Sequence, residues 1–380
     1  MASGDIGGTV DTLEFCTTDA LHPFILHVTG EIYAITYTDA SSHGVVATVG
    51  INAAGDIEPT IIDSLVFDGG AAHYSTIVHV SGSIYAIAYR GVDSDGWACT
   101  VDIGANGVIE NAVVDTLEFD AGACYEPHLI HHTGTTYVVV YRNAANHGTI
   151  ATFSINAAGD IGAAAIDTGT FVASHGNQPK IINVFGNIFA TCYRTGAYAG
   201  GLCTHEIAPN GTITTAAIEN VTFVAGFVGE PDICNSSGNI YTIAYRGVDD
   251  DGWVATISIS DLGDIAAGSI DTLEYDTANA SFPSIIAINA GMCAIASPST
   301  GSAGYIYTIQ VDDAGEITDA ILDSYEYDAA DGTVAKLIVV DGDLFVVSYQ
   351  GAGQDGFVQT LTIERPGLGR TRHLAVLGVG

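Results

Sequence analysis

Residues 84–97 read IYAIAYRGVDSDGW, and residues 240–253 read IYTIAYRGVDDDGW. The two stretches differ at two positions and lie 156 residues apart, which is three steps of 52. Their aromatic column runs through Tyr33, Tyr85, Tyr137, Phe189, Tyr241, Cys293 and Phe345 without an insertion. Each copy opens on a short, nearly continuous apolar run rich in β-branched and aromatic residues and ends at Gly, the pattern of a buried strand that stops at a turn. A fixed period of this length marks a repeat architecture.

Other columns keep the same phase. Glycine recurs from Gly44 to Gly356, where we infer a turn that needs positive φ or a close backbone approach. An acidic residue recurs from Asp11 to Asp323, followed four residues later by an aromatic ring, from Phe15 to Tyr327. Seven members per column and four short extended segments per unit predict an all-β, seven-bladed β-propeller of four-stranded blades. The ends complete each other: Thr9 to Phe15 matches the last strand of a repeat, and the final repeat stops at Ile363. The N-terminal strand is therefore expected to close the ring, covering an edge that an open sheet would expose. Residues 1–363 form the propeller on this reading. Residues 364–380 form a tail with Arg365, Arg370, Arg372, Leu374, Val376 and Leu377, which leaves open a frayed terminus, a strand competing for the slot of residues 1–16, or an assembly strand on a neighbouring copy.

The chain carries 44 acidic residues against nine Lys and Arg, a formal charge of −35. Without a basic surface it has no means of releasing counterions from nucleic acid. No apolar run approaches the roughly 18 residues of a membrane span, and the N-terminus lacks the basic and apolar regions of a secretory signal. The seven cysteines have no CxxC spacing, so zinc and redox motifs are not expected. Cys192 and Cys203 fall on strands predicted to form a hairpin, leaving a disulfide or two buried thiols open.

Two loop columns belong to the end of a propeller where ligands usually bind. The entry column reads His22, Tyr74, Glu126, Gln178, Glu230, Phe282 and Val334, mostly before proline, and its variability suits a ligand-facing position. Glu126 and Glu230 could serve as an acid and base pair on a glycosidic bond. The second column places Arg90, Arg142, Arg194 and Arg246 after a tyrosine. It suits either a bridge to an acidic neighbour or bidentate capture of a carboxylate. The turns holding Asp93 with Asp95, and Asp249 with Asp251, are oxygen-rich and are weak Ca2+ candidates, lacking the distal glutamate of an EF-type loop. His27, His79 and His131 share one column and are expected to be satisfied polar residues. No GxSxG, HExxH, P-loop or dinucleotide fingerprint appears.

The strand and turn pattern quoted above, with its AGDI and IDTLEFD elements, resembles propeller-like repeats of surface, appendage and virion-associated proteins from environmental microbes and their viruses. The resemblance implies an extracellular, cell-surface or virion-surface location, and a non-enzymatic structural or adhesion module that assembles with copies of itself or with other appendage proteins. A lectin that binds cell-surface glycans through the variable face loops is the alternative expectation, and a carbohydrate-active enzyme the second.

Overall fold

The computed structural model describes residues 3–365 apart from Ala290 and Asp319. The chain is all-β, a propeller-like array of antiparallel sheets linked by short turns. Four sheets have four strands, one has five and one has seven. The seven-stranded sheet arises because β1 (Ile6–Thr29) runs without a break through 24 residues. Its first half pairs with Asp355–Ile363, Thr9 lying opposite Leu361 and Glu14 opposite Phe357. Its second half pairs with β2 (Ile32–Asp39), which continues to β3 (Gly44–Gly50) and β4 (Asp63–Asp68). The N-terminal strand and the last strand therefore share one ladder, and β1 belongs to two four-stranded sets.

Repeated columns are the joints between neighbouring sets. Thr48 Oγ1 donates to the Gly107 carbonyl at 2.6 Å, and Thr100, Thr152, Thr204 and Thr256 each make the same bond to a glycine 59 residues on. Thr308 and Thr360 complete the series on Gly4 and Gly55. The acidic column supplies the reverse link. Asp63 Oδ2 accepts the Ile109 N–H at 2.9 Å, and Asp323 accepts that of Ile6 at 2.8 Å, joining the last repeat to the first. Each bond satisfies a backbone group that burial would otherwise strand.

The glycine and aromatic columns form one device. A Cβ on Gly44 would sit 2.4 Å from the Phe67 ring, and one on Gly96 would sit 2.5 Å from Phe119. None of the column's glycines has positive φ, so of the two readings the close approach is the one present. Phe153, Phe189 and Phe345 are fully buried between sheets, each contributing roughly 3 kcal/mol by apolar burial. Cys192 lies opposite Leu202, and Cys203 opposite Thr191. That one-residue offset turns the two thiols to different faces of the hairpin, and both are free.

Candidate functional site

The seven entry residues converge on one chamber, a cavity of about 120 Å³ lined by His22, Tyr74, Glu126, Gln178, Glu230, Phe282 and Val334. All seven hold a left-handed backbone, with φ between 44° and 55°. Side chains rarely adopt this conformation, and β-branched Val334 least readily. It falls at a slip in the strand register, between Leu21 and Phe24 in β1 and at the matching place in the strands that hold Tyr74, Gln178, Glu230 and Val334, and each of these side chains lines the chamber. The mouth is crossed by aromatic contacts: His22 lies 4.1 Å from the Tyr74 ring and 6.0 Å from that of Phe282. Burial, with the charges of His73, Arg90 and Lys180, lowers the His22 pKa to about 4.

Two residues deeper lies a column that the sequence reading passed over: Phe24, Thr76, His128, Lys180, Asp232, Ser284 and Lys336. All but His128 line the chamber. Four of them accept a backbone N–H from the next repeat: Thr76 from Leu129, His128 from Ile181, Asp232 from Ile285 and Ser284 from Leu337. A lysine ammonium has only donors, so Lys180 and Lys336 cannot do this task. They are the only lysines in the chain, and both occupy this one column. That coincidence is the signal by which sequence alone could have found the chamber floor.

The floor is an ionic cluster. Lys336 Nζ stands 3.8 Å from Asp232 Oδ2 and 5.3 Å from the Phe24 ring centroid. Burial lowers the Lys180 pKa; the negative charge of Asp232 opposes that shift and the positive charge of Lys336 adds to it. Burial, then Lys180 and Lys336, pulls His128 well below the ordinary histidine value. Its Nδ1 accepts the Ile181 N–H at 3.2 Å, which leaves the ring proton on Nε2.

Glu126 and Glu230 face the same chamber, but Gln178 stands between them. The Gln178 backbone N–H donates to Glu126 Oε2 at 2.9 Å, and its side-chain amide donates to Glu230 Oε1 at 3.0 Å. Arg246 clamps Glu230 bidentately at 2.8 and 3.0 Å and reaches Asp250 at 2.6 Å. Glu230 is thereby fixed as an ion-pair partner. The other arginines of the column do not pair this way: among the described residues none has a carboxylate within ion-pair distance. The Arg142 guanidinium covers the Tyr125 ring at 4.0 Å, Arg90 lies over Tyr74 and Tyr125 at 5.3 and 5.7 Å, and Arg194 lies over Tyr198 at 5.4 Å.

Asp249 lies in a short turn (Val248–Asp250) that Asp251 follows, and Asp93 lies in the matching turn (Val92–Ser94) that Asp95 follows. No group of three His, Cys, Asp or Glu side chains among the described residues could hold a metal ion. His27, His79 and His131 lie outside the chamber, each bonded to its own turn at Gly30, Gly82 or Gly134. Arg365 lies 5.0 Å from the Phe345 ring centroid. Arg370, Arg372, Leu374, Val376 and Leu377 lie outside the described residues. No described helix is long and apolar enough to cross a membrane.

No family model matches the chain, and no curated protein does. Solved structures do. The periplasmic gluconolactonase of Pseudomonas aeruginosa superposes at a TM-score of 0.61 with 13% identity, covering 88% of this chain and 97% of its own. A 6-phosphogluconolactonase candidate from Bacteroides uniformis gives 0.60 and 15%, covering 87% and 95%. The likeness establishes a shared propeller-like fold. Neither neighbour is described as an appendage or virion protein, and both are described as lactonases. This overturns the expectation of a non-enzymatic structural or adhesion module. The physical reason is that the chamber is assembled from the same few positions of each repeat, 52 residues apart. No contiguous motif can record such a site.

Proposed function

We propose that the chain is a seven-bladed propeller and a carbohydrate-active enzyme whose axial chamber hydrolyses a small sugar lactone. The blade count follows from assigning β1 to two blades at once, which divides the seven-stranded sheet into two four-stranded sets. One observation carries the functional reading. In a chain of net charge −35, all six basic residues that precede Arg365 belong to two repeat columns at the axial end: two lysines in the chamber floor and four arginines after the second strands. Such concentration of positive charge in an acidic body focuses an anionic or oxyanion-forming ligand there.

The charge pattern favours attack on a carbonyl over cleavage of a glycosidic bond. Glycoside hydrolysis by Glu126 and Glu230 would need both carboxyl groups available, and here Glu230 is committed to Arg246. The chamber instead offers Asp232 flanked by cations. In the proposed step Asp232 takes a proton from water as the water oxygen bonds to the lactone carbonyl carbon. Lys180 and Lys336 stabilise the oxyanion that forms. The ring C–O bond then breaks, and the leaving alkoxide recovers the proton to give the open aldonic acid. The chamber volume, worth about four waters, suits the reacting end of one ring, and the two similar structures named above are described as lactonases.

The test is proton release from aldono-1,4- and 1,5-lactones in a pH-stat, with spontaneous hydrolysis subtracted. Asp232→Asn keeps an acceptor for the Ile285 N–H and removes the base, so its kcat should fall at least about 100-fold. Lys180→Met should lower kcat by a similar factor, about 100-fold. No turnover by the wild-type chain across both lactone series, or an undiminished rate in Asp232→Asn, overturns the reading.

A further inference from the structure

We infer that Arg90 and Arg142, packed around Tyr125, form a separate anion subsite beside the chamber. It would grip a carboxylate or phosphate that the substrate carries away from its reacting carbonyl. The inference rests on the chamber being the active site and adds the charge class of the substrate.

Four observations support it. First, the chain has almost five acidic residues for each basic one, so an arginine with no carboxylate partner is unexpected, and two such arginines share a single tyrosine. Second, Nη1 of Arg142 is held by Asn146 Oδ1 at 2.6 Å, while its Nη2 makes no hydrogen bond among the described residues. The guanidinium is thus positioned with donor capacity left on Nη2. Third, the pair adjoins the chamber: Arg90 lies 5.3 Å from the centroid of chamber-lining Tyr74, and both arginines act on the Tyr74 hydroxyl electrostatically. Fourth, Glu126 faces the same mouth without neutralising them. Its Oε2 takes the Gln178 N–H, and it forms no ion pair with either arginine among the described residues. A planar, permanently charged fork braced on an aromatic face is well suited to bidentate capture of an oxyanion.

Inorganic phosphate titrated into the wild-type chain by calorimetry at low salt, and into Arg90→Gln/Arg142→Gln and Arg142→Lys, tests the site without reference to turnover. Circular dichroism confirms that each variant is folded. The double variant should bind phosphate at least about ten-fold more weakly, and Arg142→Lys should fall between it and wild type. In parallel, kcat/KM is compared for D-glucono-1,5-lactone, its 6-phosphate and a glucaric acid lactone. The ratio of each anionic lactone to the neutral one should fall at least about ten-fold in the double variant. The anionic lactone with the larger wild-type ratio identifies phosphate or carboxylate as the natural group. Unchanged phosphate affinity in both variants overturns the subsite, even if lactones are turned over. Phosphate binding that is lost in the double variant, in a chain that hydrolyses no lactone, leaves the subsite standing and removes the hydrolase reading instead.

Discussion

The corner around Arg90 and the corner around Arg246 are built from nearly the same fourteen residues, yet they hold opposite electrostatics. Arg246 is neutralised by Glu230 from the entry column and Asp250 from the following turn. At the matching positions of its own repeat, Arg90 has Tyr74 and Ser94. Its guanidinium rests on aromatic faces instead. The two intermediate corners offer Glu126 with Asn146 and Gln178 with Tyr198, and neither closes an ion pair on its arginine among the described residues. One strand sequence serves both states. What differentiates the blades is the identity of two partner residues, and a repeat can change these without disturbing its framework.

The comparison breaks most visibly in stability. Arg246→Met leaves the nearly buried Glu230 carboxylate with only the Gln178 amide. Allowing for the partial exposure of the arginine, the loss should be about 2–3 kcal/mol in thermal or denaturant unfolding. Arg90→Met removes no ion pair, and its loss should stay below about 1 kcal/mol. Equal losses at the two corners would dissolve the distinction.

Acid titration sharpens it next. His22 is held neutral down to about pH 4, chiefly by burial and then by His73, Arg90 and Lys180. Between its ordinary pKa of 6.5 and 4, the unfolded chain binds a proton there that the native chain refuses. Stability is therefore fully present above pH 6.5 and declines as the pH falls toward 4, by about 2 kcal/mol for this half-buried ring. An NMR titration of His22 should find its pKa near 4 in the wild type and part of the way back toward 6.5 in Arg90→Gln, because burial remains. A midpoint at 6.5 in the wild type would mean that the mouth is neither dry nor positively charged.

Transplanting one corner into the other has a smaller effect. Tyr74→Glu with Ser94→Asp gives Arg90 the surroundings of Arg246. Phosphate binding at the mouth should weaken about ten-fold, near 1.4 kcal/mol, and the His22 pKa should rise. Unaltered phosphate affinity with an intact fold would show that pairing state does not control the mouth.

The framework was open to reading because every repeat meets the same constraint. Thr48 and its equivalents must each satisfy a glycine carbonyl, Asp63 and its equivalents an amide, and Gly44 must admit the Phe67 ring. Identical tasks keep identical residues, and the period makes them conspicuous. The chamber reverses this logic. Its residues face one another across an axis, so the chemistry comes from differences within a column and is diluted by the 51 positions between successive members. The entry column stood out through its prolines. The column of Lys180, Asp232 and Lys336 has no such marker, and only the confinement of both lysines to it betrays a site. The continuity of β1 was also hidden, since nothing in residues 16–24 distinguishes a strand that passes between two sheets from a loop that joins them.

The smallest effect concerns the one entry residue least suited to its backbone. Val334 holds φ of 49°, where its branched Cβ is crowded, while His22 and Glu230 hold the same conformation with unbranched side chains. Left-handed backbone at a non-glycine residue costs on the order of 1–3 kcal/mol, and asparagine tolerates it better than valine. Val334→Asn should therefore raise stability by about 1 kcal/mol, less whatever apolar contact the valine makes in the chamber. The same change at Glu230 should lower stability, because there the carboxylate lost to Arg246 outweighs any relief of strain. Opposite signs at two positions of one column would separate the backbone cost, which all seven entries share, from the side-chain contacts, which each blade sets for itself. A fall in melting temperature for Val334→Asn would place the valine among the residues that stabilise the chamber wall and remove strain as the reason for its exceptional position.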